Sequence, residues 1–388
     1  MNRTTKMVLV AAALALPAAP AAGQDAYVVG LSGALTGPNA NVYAPVIDGL
    51  KLYADQVNGK GGVNGKPIRL LIQDNQGEPS KAAADVKRFL SQDNVLAVIN
   101  VSLSSTYAPM VVETKRARVP LFYAGSVCPK EVYPPADELQ FCSTAFAPGF
   151  DTQMAFRVIQ ELAKEPVRIG FAAMAIPIAR AEMDYAEGLA KSLGMTAVEK
   201  QITPPPTPDY TPFATKLKDA NPNWVFSWSP WLSQVKTFEA LRRIGWAGRY
   251  LTIAHLQAED ELARLKDGDL YVFGANSLFQ EALPVHREIR DAAQKAGLNT
   301  PVPQLAEGWI AGMVLEQALR NAGWPATPEK VVASMNNLKV DLKGLRGGPI
   351  EWTKTNHFRA TQFYRVYRWD PAKQAIVRLK DWTSFEVK

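Results

Sequence analysis

Cysteine and histidine are scarce in this chain. Its 388 residues hold two Cys and three His. The histidines, His255, His286 and His357, stand far apart, and no HExxH, GxSxG or Cys-x-x-Cys pattern occurs. Zinc-hydrolase, nucleophile-elbow and dithiol chemistry therefore have no foothold here. The expectation is a protein that is not an enzyme, with no cofactor and no metal. Clustered charge is missing as well. There are 43 Lys and Arg against 37 Asp and Glu, scattered along the chain. A nucleic-acid binder concentrates its basic residues, so no nucleic-acid partner is expected. The mild excess reads as solvated surface with a slight preference for anionic ligands. Long apolar runs are absent too. Met7–Leu16 carries no charge, but it is shorter than the ~20 residues that span a bilayer.

What is present at the start is a leader. Arg3 and Lys6 precede the apolar run, and small residues follow through Ala18, Ala19, Ala21, Ala22 and Gly23. That order marks residues 1–23 as a signal peptide, with cleavage expected between Ala22 and Asp25. No Cys lies near the cleavage site, so a lipid anchor is not expected. The mature protein should diffuse freely in the periplasm. Without Arg3 and Lys6 the chain has 41 basic and 37 acidic residues. Cys128 and Cys142 form an even pair, and in an oxidising compartment such a pair suggests a disulfide. It would close a loop of about 15 residues, worth up to ~3 kcal/mol in the chain-entropy model. Two unrelated buried thiols are the alternative.

About 365 residues remain, comfortable for two lobes. Short apolar runs alternate with longer amphipathic segments. Tyr27–Leu31, Ile68–Gln73, Val95–Val101 and Pro120–Ala124 read as strands. They are continuous rather than alternating, as suits parallel strands covered on both faces. Val42–Asn58, Ser80–Leu90 (with Ser80 as its cap) and Ser104–Arg116 read as the intervening helices. After Ala147-Pro148-Gly149 the rhythm repeats. Strands are expected at Val167–Met174, Ala197–Ile202, Trp224–Trp228, Tyr250–Ala254 and Leu270–Ala275, with helices at Phe150–Ala163, Arg180–Leu193, Phe213–Lys218 and Leu232–Ile244. Helices Val285–Ala296, Ala306–Asn321 and Pro328–Met335 follow, then strands Arg359–Arg368 and Ile376–Leu379. Repeated βαβ units imply an α/β protein with doubly wound parallel sheets. The Gly61–Pro67 stretch looks like a phosphate loop but lacks its first Gly (Lys60) and its Ser or Thr (Pro67). Asn64-Gly65 reads as a tight turn at positive φ.

Four segments resemble the branched-chain amino acid (Leu/Ile/Val) binding-protein family, the type I periplasmic solute receptors of ABC transporters. They are Leu31-Ser32-Gly33-Ala34-Leu35-Thr36-Gly37-Pro38-Asn39-Ala40, Gly61-Gly62-Val63-Asn64-Gly65-Lys66-Pro67-Ile68, Tyr185-Ala186-Glu187-Gly188-Leu189-Ala190 and Asp209-Tyr210-Thr211-Pro212-Phe213. They occur in the family's order, and the similarity covers essentially the whole mature chain. The resemblance implies two Rossmann-like lobes joined by three crossovers, with a ligand cleft between them. On this chain lobe 1 would be 26–146 plus 279–356, and lobe 2 would be 147–278 plus 357–388. The crossovers would fall near Ala147–Gly149, Asn276–Leu278 and His357–Ala360. The partners it implies are a small-molecule ligand (an organic acid or amino acid) and an inner-membrane ABC permease.

The resemblance also assigns a site. Ser102, Leu103 and Ser104 fall where the family holds a ligand carboxylate at a helix N-terminus, whose free N–H groups favour anions; an ordinary Ser cap is the other reading. Gly125, Ser126 and Val127 fall where it presents backbone groups and a Thr, here Val127. Tyr43 and Tyr185 match site-edge tyrosines, or pack in the core. Amino-acid binders of the family carry a Glu within the stretch matching Tyr250–Leu256. This chain has none there and has His255 instead. A buried ammonium needs a paired charge, so the missing Glu argues against an α-amino acid. His255 would donate to a carboxylate, carbonyl or phenol, or be structural. Trp228, Trp231 and Trp309 would supply indole walls for a flat apolar ligand. The expected ligand is an aromatic carboxylate, benzoate- or cinnamate-like. A branched-chain amino acid or amide is the alternative ligand, and a sensor docking on a membrane signalling protein is the alternative role.

Overall fold

The structure, a computed structural model, describes residues 25–125, 127–255 and 257–387, so the leader and Ser126 lie outside it. In chain order come β1 (Tyr27–Gly33), α1 (Ala40–Gly59), β2 (Ile68–Asp74), α2 (Pro79–Ser91), β3 (Val98–Val101), α3 (Tyr107–Ala117), β4 (Leu121–Tyr123) and β5 (Gln140–Cys142). These strands pair in the order β2-β1-β3-β4-β5, all parallel. Every residue of β1, β3 and β4 is buried. Helices on both faces cover a parallel sheet, which is why these strands are predominantly apolar rather than apolar at alternate positions, and the polar Ser32 and Asn100 within them are hydrogen-bonded.

The chain then builds α4 (Phe150–Leu162), β6 (Arg168–Met174), α5 (Pro177–Ser192), β7 (Thr196–Thr203), α6 (Thr211–Asp219), β8 (Trp224–Ser227), α7 (Trp231–Arg243), β9 (Arg249–Ile253), α8 (Ala258–Leu265) and β10 (Leu270–Gly274). It returns to the first lobe with α9 (Pro284–Lys295), α10 (Ala306–Ala322), α11 (Pro328–Met335) and the small antiparallel pair β11 (Asn337–Val340) and β12 (Ile350–Thr353). Trp352 of β12 packs on Phe122 and Phe141 of the first sheet, at 5.7 and 5.2 Å between ring centroids. The chain crosses back a last time into β13 (Thr361–Asp370) and β14 (Ala375–Glu386). The second sheet runs β14-β13-β10-β9-β8-β6-β7, with β13 and β14 antiparallel to their neighbours. Two Rossmann-like lobes joined by three crossovers result. Among the described residues no helix is long and apolar enough to cross a membrane.

Helices α1 and α10 touch backbone to backbone. A Cβ on Gly308 would lie 1.9 Å from the Val46 carbonyl oxygen, and one on Gly49 would lie 2.2 Å from that of Leu305. Only glycine permits that approach.

One guanidinium ties the crossovers together. Arg346 forms a buried ion pair with Glu307 of α10 at 2.6 Å, its Nε donates to Asn276 Oδ1 at 2.8 Å, and a second guanidinium nitrogen donates to the Ser143 carbonyl. From the third crossing, Gln362 Nε2 donates to the Ala145 carbonyl of the first at 2.8 Å. Cys128 and Cys142 are joined as a disulfide, linking the segment after β4 to the end of β5. At the Asn64-Gly65 turn Val63 and Lys66 exchange backbone hydrogen bonds of 2.8 and 2.9 Å, with φ of +50° and +77° at the central residues.

Several expected elements differ. Helix α2 starts at Pro79 with Glu78 before it, so Ser80 is not the cap; proline's fixed φ suits the first helical position. Pro177 likewise starts α5 three residues ahead of Arg180. The third strand begins at Val98 rather than Val95, and Ser104–Thr106 forms a short 3-10 turn before α3. The last strand extends to Glu386, well beyond Leu379, because an exposed edge strand needs no continuous apolar run.

Candidate functional site

A narrow cavity lies between the lobes. Its first-lobe wall comes from the start of α1 (Val42, Tyr43), the turn before α3 (Ser104) and the segment after β4 (Gly125, Val127). Its second-lobe wall comes from the segment leading into α5 (Ile176) and its first turn (Ile178), the β8–α7 segment (Trp228, Ser229, Pro230) and the segment after β9 (His255). Phe146, on the first crossover, completes it. Most of these positions follow the carboxyl ends of parallel strands, the usual ligand crevice of open α/β sheets.

Each wall has a local reason. Gly125 has φ of +87°, and a Cβ there would sit 2.6 Å from a Val46 methyl, so its backbone borders the cavity because it is glycine. The Val127 carbonyl accepts from Tyr107 Oη at 2.5 Å, anchoring this segment to α3. Ser104 opens the turn ahead of α3, and its Oγ is buried without a hydrogen-bond partner. A buried unpaired hydroxyl is costly unless a ligand or water completes it. Opposite, Trp228 donates through Nε1 to Asp151 at 2.8 Å. The same carboxyl accepts from Tyr364 Oη at 2.6 Å and the Ala147 N–H at 3.0 Å. Burial holds Asp151 well above the usual carboxylate range. The Ser229 hydroxyl accepts from the Met174 N–H at 2.9 Å.

His255 is enclosed by Phe146, 4.4 Å away between ring centroids, and Trp231 at 6.0 Å. Burial pushes its pKa down to about 3, with the Ser229 backbone as a hydrogen-bond partner that opposes the shift. The ring is therefore neutral at ordinary pH. With His255 neutral, no lining residue carries a formal charge.

Beside the cavity the lobes are bridged. Gln257 Nε2 donates to the Asn41 carbonyl at 2.8 Å, and Gln304 Nε2 donates to Asp260 Oδ2 at 3.0 Å. The arrangement is that of a closed cleft.

The structure thus brings together Tyr43, Ser104, Gly125, Val127, Trp228 and His255 around one space. Ser126 lies outside the described residues. It places the others elsewhere. Ser102 is buried and donates to Asn75 Oδ1 at 2.9 Å. Leu103 precedes the 3-10 turn, and its carbonyl accepts from Thr106. Tyr185 is 42% exposed on α5, where its hydroxyl accepts from Gln153 at 3.2 Å. Trp231 begins α7 and is buried in the core cluster beneath it. Trp309 packs edge-on against Tyr53, 5.0 Å between rings, where α10 meets α1. His286 stacks on Phe279 and bonds Ser277 Oγ at 3.0 Å. His357 lies between the Gln140 carbonyl and Asn336, at 2.9 and 2.7 Å. Reasoning from sequence missed Val42, Phe146, Ile176, Ile178, Ser229 and Pro230. Phe146, beside the Ala147-Pro148-Gly149 break, and the SWSPW run offered a signal for three of them; the aliphatic residues offered none.

A family model described as "periplasmic binding protein" matches residues 26–375. An amino acid binding protein of Pseudomonas aeruginosa is 23% identical over 353 residues, covering 88% of this chain and 90% of that relative. A Leu/Ile/Val-binding protein homolog of Brucella melitensis is 23% identical over 348 residues, covering 85% and 84%. Among solved structures, a branched chain amino acid ABC transporter from Thermus thermophilus with bound valine superposes with a TM-score of 0.80 at 17% identity, covering 93% of this chain and 97% of that one. A solute binding protein of an ABC transporter from Rhodopseudomonas palustris BisB5, in complex with 3,4-dihydroxy benzoic acid, gives 0.78 at 16%, covering 94% and 98%. At such identities these structures show the fold alone.

Proposed function

The chain belongs to the periplasmic binding protein family, and on that premise we propose that it is the solute receptor of an ABC importer whose ligand is a small aromatic carboxylate. One observation carries the choice of ligand. The cavity is walled by Tyr43, Phe146, Trp228 and aliphatic side chains; among the described residues none of its lining is acidic, and Ser104 Oγ is a buried side-chain oxygen without a partner. An α-amino acid would bury an ammonium with no counter-charge, at a cost of several kcal/mol. Asp151, set behind Trp228, does not meet that need, because three donors already occupy it and burial favours its neutral form. A carboxylate would take a hydrogen bond from Ser104 beside the Gly125 backbone, and the ring would lie against the aromatic wall.

Capture follows from the architecture. Ligand meets one lobe, the crossovers flex, and the Gln257–Asn41 and Gln304–Asp260 bridges form as the second lobe arrives. The closed outer surface is what a permease would recognise, and export by the leader would place the receptor in the periplasm. The second reading, a branched-chain amino acid or amide, is supported by the amino-acid-binding names of the curated relatives.

Calorimetric titration of the mature protein with benzoates, cinnamates, leucine and valine separates them. Aromatic acids alone should bind. Tight binding of leucine or valine, with no heat from the acids, would overturn the ligand assignment and leave the receptor role standing.

A further inference from the structure

Two serines line the cavity, Ser104 from the first lobe and Ser229 from the second. Both still have a hydroxyl proton to give. Ser104 Oγ is buried without a partner. Ser229 is buried as well, and its Oγ accepts from the Met174 N–H at 2.9 Å. That bond fixes the oxygen and uses one of its lone pairs, but it leaves the proton unspent. Among the described residues the Ser229 proton has no acceptor, and none of the lining is a carboxylate that could take it.

The backbone beside each serine has the same character. Ser104 opens the 3-10 turn that runs into α3, and Ser229 stands two residues ahead of α7, whose preceding Pro230 also lines the cavity. Neither helix has a side-chain hydrogen bond capping its N-terminus, and neither has an acidic residue in its first turn. A helix start of that kind keeps unpaired N–H groups and a partial positive charge. Two of them border this cavity, one on each lobe.

A ligand group that meets both serines must accept from two sides at once. In a narrow cavity one small group can do so. A carboxylate has two equivalent oxygens, about four acceptor positions and a negative charge that suits both helix starts. A primary amide has one oxygen and brings N–H groups where donors already stand. An ester has no charge to offer.

Resting on the receptor reading above, we infer that Ser229 is a second carboxylate-binding residue, so that the ligand's carboxylate is gripped between the lobes, one oxygen at Ser104 and the start of α3, the other at Ser229 and the start of α7. The charged end of the ligand is then the clasp that joins the second lobe to the first. A compound of the same shape with its carboxyl blocked leaves a buried hydroxyl unanswered, the situation in which polar sites discriminate best. Aromatic acids and amino acids both carry a carboxylate, so the clasp is separable from the choice between them.

The test is calorimetric titration of the mature protein with acids and their blocked counterparts: benzoate against benzamide and methyl benzoate, cinnamate against cinnamamide, and leucine against leucinamide. In the native protein the acid of whichever pair binds should be preferred by about tenfold or more. Ser229→Ala should cost that acid about tenfold and the blocked compound little, so the preference shrinks. Ser229→Thr, which keeps the hydroxyl, should restore part of it. A purely structural part for Ser229, through Met174, would weaken acid and blocked compound alike and leave the preference intact; that result would overturn the inference, as would an acid held by Ser229→Ala as tightly as by the native protein. Equal affinity of acid and blocked compound in the native protein would also overturn it, and that comparison stands even if a variant fails to fold. If leucine binds and the aromatic acids do not, the aromatic reading falls and the leucine pair decides the clasp. If none of the three acids binds, both fall.

Discussion

The two walls of the cleft are made in different ways. The second-lobe wall is supported from behind. Trp228 is held by Asp151, Asp151 by Tyr364 and Ala147, and Ser229 by the Met174 amide. The first-lobe wall keeps capacity in hand. Ser104 Oγ is buried and unpaired, and Gly125 brings bare backbone to the cavity. Its support is partly covalent, since the disulfide at Cys128 follows directly on Val127, whose carbonyl is also held by Tyr107. The contrast separates the tasks. Groups whose hydrogen bonds are complete set the shape, and on the proposed reading Ser104, whose hydroxyl is unpaired, would meet the ligand.

The largest expected effect is on the supported wall. Trp228→Ala removes a buried indole and leaves Asp151 short of a donor, so it should cost about 3–5 kcal/mol of stability. Ser104→Ala should change stability by less than about 0.5 kcal/mol. Urea unfolding of the two variants makes the comparison, and similar losses would erase the distinction between the walls. The next effect concerns binding. If Ser104 holds the carboxylate, Ser104→Ala should weaken acid binding by about 1.5–3 kcal/mol, roughly tenfold or more, with the fold unchanged. Calorimetry would read it, and unaltered affinity would move the anion elsewhere.

The smallest effect is in pH dependence. His255 is held near 3, below its ordinary value. Below about 6.5 the unfolded chain takes up a proton that the folded chain refuses. Stability from this group is complete above that pH and falls by about 1.4 kcal/mol per pH unit toward 3. Asp151, raised by burial, acts in the opposite sense, since its contribution is present at low pH and fades as pH rises. The native slope mixes these with His286 and His357, lowered by burial, and with Glu182 and Glu259, raised by it, so the difference between native protein and His255→Asn is the informative quantity. That difference should flatten the fall between pH 6 and 4, while Ser104→Ala leaves it untouched. A variant slope equal to the native one would show that His255 titrates normally.

Most of the fold was legible because buried parallel strands cannot hide their composition. Tyr27–Gly33 and Val98–Val101 are buried on both faces and almost wholly apolar, Ser32 and Asn100 being the polar exceptions, and that run marks them. Strand β5 has only three residues, beginning with Gln140, and its burial owes more to the disulfide and β4 than to a pattern of its own. Helix α8 opens with Glu259, Asp260 and Glu261, an acidic first turn that suits a helix dipole but was not read as a start. The site was legible where backbone chemistry dictates it, as at Ser104 and Gly125. It was obscure for large aromatics, because Trp228 and Trp309 are equally apolar in sequence and only packing sends one to the cavity and the other against Tyr53. His255 stood out as the residue replacing an acid, but its enclosure by Phe146 and Trp231 is a matter of packing that sequence does not display.

The glycine contact between α1 and α10 bears on how the receptor moves. Where Gly308 presses on the Val46 carbonyl and Gly49 on that of Leu305, no side chain separates the two helices, and beside that contact Tyr53 packs on Trp309 and donates to Glu316. Tyr43 stands near one end of this pair, and Glu307, the partner of Arg346, in the first turn of α10. On the proposed reading, so close a pairing would carry a displacement at the cleft toward the crossovers as one rigid unit.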